Sequence, residues 1–146
     1  MEASGTVRQS REDQALEAFG RLAAGDVDDF LESCAHDLVL EARGILAETT
    51  YVSRRDIPAW YDALRGLTGD TLESSVRMVR SRGERSTVVV RHSFERDGVQ
   101  HRFDMVNICA FSDALLSQWS SFPLNVPEFA CALGLECAGP VGVHAP

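Results

Sequence analysis

The second half of the chain is a nearly unbroken succession of strand-like segments, and this leaves few architectures open. Leu72–Arg82, Ser86–Arg96, Val99–Phe111 and Leu115–Phe122 are rich in β-branched and aromatic residues. They are parted by Gly83, by Asp97-Gly98 and by Ser112-Asp113-Ala114, breaks so short that only hairpins can join the segments. Four strands linked this way make an antiparallel meander with one face that needs covering.

The first half supplies the cover. Residues 11–24 carry Leu16, Phe19, Leu22 and Ala23 at helical spacing, an apolar face on a first helix. Gly25 ends it, and Asp26 stands where it can cap a second helix running through Phe30 and Leu31. Leu38-Val39-Leu40 reads as a short strand. Ser53-Arg54-Arg55-Asp56 resembles a capping box, and Ile57, Trp60, Tyr61 and Leu64 after it share one side of a third helix. Asn125-Val126-Pro127-Glu128 is placed to cap a last helix through Leu133, stopped by Gly134. The expected fold class is α+β: a cone-shaped, curved antiparallel sheet wrapped around N-terminal helices, with a central pocket. One domain spans residues 10–135, and 136–146 form a loosely held tail.

Composition narrows the function. The net charge is −8 and all 14 basic residues are arginines spread along the chain, which opposes nucleic acid and anionic membranes as partners. With no lysine present, a lysine Schiff base is excluded. No apolar run approaches the roughly 20 residues of a membrane span, and the polar start MEASGTVRQSRED is unlike a signal peptide; a cytoplasmic protein is expected. Cys34, Cys109, Cys131 and Cys137 form no C-x-x-C pair. Cys34 and Cys109 read as buried thiols, whereas spacing leaves open whether Cys131 and Cys137 pair. His36, His101 and His144 are scattered, with His101 expected to face outward, so neither a metal nor another cofactor is expected.

Three stretches carry a family resemblance. Ala24-Gly25-Asp26-Val27-Asp28-Asp29-Phe30 resembles the "AGD-hydrophobic-D" helix start of SnoaL-like, or nuclear-transport-factor-2-like, proteins. Phe111-Ser112-Asp113-Ala114-Leu115-Leu116-Ser117-Gln118-Trp119 resembles their "F-x-D-G-K-I-x-x-W" hairpin, with Ala114 in place of glycine. Pro127-Glu128-Phe129-Ala130-Cys131-Ala132-Leu133-Gly134 is similar to their closing helix. The three occur in family order across residues 13–135. The resemblance implies a lipophilic, polyketide-like small molecule as substrate, the setting of bacterial secondary metabolism, and a homodimer formed through the open sheet face.

The family's mechanisms do not carry over intact. In the ketosteroid isomerase pattern the donor tyrosine falls on Phe19, the base aspartate on Ala42, and the second donor on Asn107. In the limonene epoxide hydrolase pattern the arginine and first aspartate fall on Val88 and Val90, and the second aspartate on Ser121. In the first pattern only Asn107 can still donate a hydrogen bond, and in the second both aspartates and the arginine are lost.

Strand alternation in the family register then turns Val88, Val90, His92 and Phe94 inward, with Phe103, Met105, Asn107 and Cys109. Leu40, Ala42, Trp119 and Ser121 join them. Arg91, Ser93, Asp104 and Glu41 turn away, although a bulged first strand would make Glu41 a pocket acid. His92 titrates near neutral pH and is a candidate proton carrier, and Asn107 a candidate donor to a developing oxyanion. Trp119, Ser121, Met105, Phe94, Phe19 and Leu40 are candidate substrate contacts. Each has a plainer alternative. His92 can be a core histidine bonded to a backbone carbonyl or to Asn107, and Trp119 can be packing alone. Three functions stay open: a cofactor-free cyclase, isomerase, dehydratase or hydrolase; a non-catalytic protein that binds or shields a small molecule; and an interaction module, which Arg91, Arg96 and Arg102 disfavour.

Overall fold

A computed structural model of the chain describes residues 10–46 and 48–124. Its elements run α1 (Arg11–Ala23), α2 (Val27–Glu32), β1 (Val39–Leu46), β2 (Glu48–Ser53), a 3-10 turn at Arg54–Asp56, and α3 (Ile57–Leu67). The four strands of the meander follow: β3 (Glu73–Arg82), β4 (Arg85–Arg96), β5 (Val99–Ser112) and β6 (Leu115–Pro123). The closing helix, the tail and the Cys131–Cys137 question lie outside the described residues.

All six strands form one curved, unclosed sheet in the order β2-β1-β6-β5-β4-β3. The sheet is not purely antiparallel as expected, because β1 lies parallel to β6, with Leu40 beside Trp119 and Ala42 beside Ser121. A second strand also appears where none was expected. Thr49-Thr50-Tyr51-Val52, a β-prone run, belongs to β2 and pairs back onto β1.

The hairpin turns follow the residues at them. Asp97 and Gly98 both have positive φ, at 53° and 78°, as do Asp113 and Ala114 at 53° and 67°, the backbone that two-residue hairpins favour.

The helices cover the concave face. Ser10 caps α1, its hydroxyl accepting from Asp13 N. Arg11 Nη1 then donates to Gly83 O at 2.8 Å, and Ser81 N donates to Glu12 Oε2 at 3.1 Å. These two bonds tie the start of α1 to the β3–β4 turn. Its buried stripe is Ala15, Ala18, Phe19 and Leu22; Phe19 and Leu22 are buried as expected, but Leu16 is 49% exposed and Ala15 and Ala18 take its place. In α3, Ile57, Tyr61 and Leu64 are buried. Its capping box does not form: Ser53 Oγ bonds the Asp56 carboxylate at 3.1 Å rather than a backbone N–H.

Candidate active site

The concave face is built by alternation along the strands. Val88, Val90, His92 and Phe94 are buried on β4, and Phe103, Met105, Asn107 and Cys109 on β5. The register sets Asn107 opposite Val88 and Ser121, and His92 opposite Phe103. Glu41 is on the outer face, bonded to Arg43 Nε at 2.9 Å and accepting from Ser120 Oγ at 3.2 Å.

Between this face and the helices lies a cavity of about 30 Å³, room for about two waters. The sheet contributes Val90, His92, Phe103, Met105, Asn107, Trp119 and Ser121 to its wall. Phe19, Leu22 and Ala23 come from α1, and Trp60, Tyr61 and Leu64 from α3. Six of the candidate residues therefore line it: Phe19, His92, Met105, Asn107, Trp119 and Ser121. Leu40 and Phe94 do not. Leu40 is fully buried in the β1–β6 ladder, and Phe94 packs its ring on His101 at 5.3 Å and Phe103 at 6.0 Å. His101 is thus not outward-facing, because it shares odd-numbered parity with Phe103. Of the helical half of the wall, sequence reasoning finds only Phe19. The signal for the rest is the Ile57-Trp60-Tyr61-Leu64 stripe, the apolar side of α3.

Asn107 is held at both ends of its carboxamide. Trp119 Nε1 donates to Oδ1 at 2.9 Å, and Nδ2 donates to Val88 O at 3.2 Å, with Met105 O a further 3.5 Å contact. An indole N–H can only donate, so Oδ1 must face it and the amide cannot be reversed. Three rings enclose the indole edge to face or nearly so: Phe30 at 5.3 Å, Phe19 at 5.5 Å and Trp60 at 6.5 Å.

His92 is placed differently. Its ring lies 5.1 Å from Phe103, and Nδ1 is 2.7 Å from Ser74 Oγ across the β3–β4 pair. Among the described residues Nε2 has no hydrogen-bond partner. Burial pushes the imidazole pKa down to about 4, opposed weakly by Asp104. Asp104 itself is an outer-face residue, held below the usual carboxylate range chiefly by its hydrogen bond from Arg91 at 2.9 Å.

The two polar groups are not partners. His92 stands four residues along β4 from Val88, the residue opposite Asn107, which separates their backbones by about 13 Å. Ser121 and Tyr61 add hydroxyls to the wall, that of Tyr61 donating to Leu22 O at 3.2 Å and joining α3 to α1 beside the cavity. No carboxylate among the described residues lines the wall, and those residues hold no cluster of three metal-ligating side chains. No described helix is long and apolar enough to cross a membrane.

No family model matches the sequence, and neither does any curated protein. Solved structures do match. IdmH from Streptomyces antibioticus, a candidate polyketide cyclase, superposes with a TM-score of 0.69 at 16% identity, covering 86% of this chain and 99% of that one. TerC, co-crystallized with polyporic acid, has a TM-score of 0.69 at 14% identity, covering 83% of this chain and 95% of that one. A candidate ketosteroid isomerase from Kribbella flavida reaches 0.62 at 17% identity, covering 78% of this chain and 77% of that one. The chain has the SnoaL-like, nuclear-transport-factor-2-like fold.

Proposed function

We propose that this protein is a cofactor-free enzyme, of the cyclase, isomerase, dehydratase or hydrolase kind, that moves a proton on an uncharged, lipophilic, polyketide-like molecule. The observation that carries the reading is His92: a neutral imidazole in an aromatic wall, with Nδ1 engaged by Ser74 and Nε2 unbonded among the described residues. A neutral imidazole can accept a proton at one nitrogen while giving one up at the other. A ligand carboxylate or ammonium would find no countercharge on the described wall, so an uncharged ring system fits it best. The cavity is far smaller than the roughly 300 Å³ of a ligand pocket, so a guest requires the wall to widen. The likeness to IdmH, TerC and the Kribbella protein supports a small organic substrate.

A second reading has its own observation. Asn107 spends its hydrogen bonds inside the protein, as expected of a pocket that binds or shields a molecule without chemistry. One experiment separates the two: deuterium uptake at the α-carbon of 2-tetralone, a flat aromatic ketone. The enzymatic reading expects catalysed uptake that falls about 10²-fold in His92→Gln. Saturable binding with uptake no faster than in buffer favours shielding.

The outer face of the sheet we assign to a second copy of the chain. Val89, Val106 and Ile108 are half-buried there around the Arg91–Asp104 pair. Sedimentation velocity should show a dimer that Ile108→Glu separates into monomers.

A further inference from the structure

Two polar side chains on the cavity wall differ in one respect that decides what each can do. Asn107 faces a donor-only indole, which locks it. His92 faces a serine hydroxyl, which donates and accepts equally well. The Ser74–His92 contact of 2.7 Å therefore admits both neutral tautomers of the ring. Ser74 is moreover half-buried on β3, the strand at the edge of the sheet, whereas His92 is one strand further in and 8% exposed. The hydroxyl lies on the sheet-edge side of the ring.

We infer that Ser74 is the positioning residue of His92 and the route by which protons pass between its ring and solvent. This rests on the reading of His92 as the group that moves a ligand's proton. The step balances without an imidazolium. A ligand C–H or O–H bond breaks and leaves its electron pair on the ligand. The proton forms the Nε2–H bond as the Nδ1–H bond breaks toward Ser74 Oγ. Ser74 releases its own hydroxyl proton to water, and the ring ends neutral in the other tautomer. The reverse sequence delivers a proton to the ligand. A ring whose burial opposes charge can work this way, since it never has to store the proton.

The test uses the full chain labelled with 15N-histidine, the His92 ring resonances being assigned with His92→Gln. Magnetisation transfer from water reads how fast the ring N–H exchanges, and the two 15N shifts read the tautomer balance. Ser74→Ala is expected to slow exchange about tenfold or more and to shift the tautomer balance. Ser74→Thr, which keeps the hydroxyl, is expected to restore both, and it also serves if the alanine variant fails to fold. Exchange and shifts in Ser74→Ala equal to wild type would overturn the inference, as would loss of both in a folded Ser74→Thr. The 2-tetralone assay on wild type stands apart. Ring exchange through Ser74 with no tetralone chemistry defeats the enzymatic reading and keeps the route. Tetralone chemistry indifferent to Ser74 defeats the route alone.

Discussion

The indole N–H of Trp119 meets Asn107 Oδ1 at 2.9 Å, so that a β6 ring and a β5 amide are each the other's buried partner. Removing either leaves a polar atom stranded in an aromatic surround, at a cost of about 1–3 kcal/mol. Trp119→Phe and Asn107→Leu should each lower stability in urea denaturation. The double variant should be less destabilised than the sum of the two, by about 0.5–3 kcal/mol. Strict additivity would mean that the bond contributes nothing.

Stability should also fall in acid because of His92. The ordinary histidine value is 6.5, and burial takes this one to about 4. Between those values the unfolded chain binds a proton that the folded chain refuses. Stability attributable to His92 is therefore complete above pH 6.5 and is lost as pH drops toward 4, by about 3 kcal/mol. Denaturation of wild type and His92→Gln at pH 7.5 and pH 4.5 isolates it: the wild type should lose more than the variant.

Ala114 sits at φ 67° in the β5–β6 turn, a left-handed conformation that costs a residue with a Cβ about 1–2 kcal/mol. Ala114→Gly should raise stability by about 0.5–1 kcal/mol once the extra freedom of the unfolded glycine is subtracted. The turn contributes nothing to the cavity wall, so tetralone turnover should not change.

Two thiols should be inert. Burial drives Cys34 up to about 11 and Cys109 up to about 12, and each sulfur leans on a backbone carbonyl, Phe30 O at 3.4 Å and Ser86 O at 3.6 Å. Thiolate is the reacting form. Iodoacetamide at pH 8 followed by peptide mass mapping should leave both unlabelled in the native protein and label both in urea.

What the sequence made legible follows from periodicity. Alternation with period two placed Val88, Val90, His92, Met105 and Asn107 on one face, because a strand allows no other arrangement of neighbours. It did not by itself place Trp119. Ala110 pairs with Gln118 but Phe111 pairs with Leu116, so Ser117 is skipped. Without that bulge Trp119 would oppose Ile108 and point outward; the family resemblance, not the alternation, turned it in. In α1 the stripe was right at Phe19 and Leu22 and wrong at Leu16, because Ala15 and Ala18, small enough to lie close to the sheet, count for little in a search for large apolar residues. Ser74 was invisible as a partner of His92. The two meet only through a β3–β4 register that itself shifts between Val76 and Met78.

The chain has two tryptophans, and both belong to the cavity wall, their rings 6.5 Å apart and nearly perpendicular. Indole emission responds to nearby quenchers and to local polarity, so the protein carries a built-in optical probe with no background from elsewhere in the fold. A library of uncharged aromatics can be screened by titration alone, with no label and no assay of turnover.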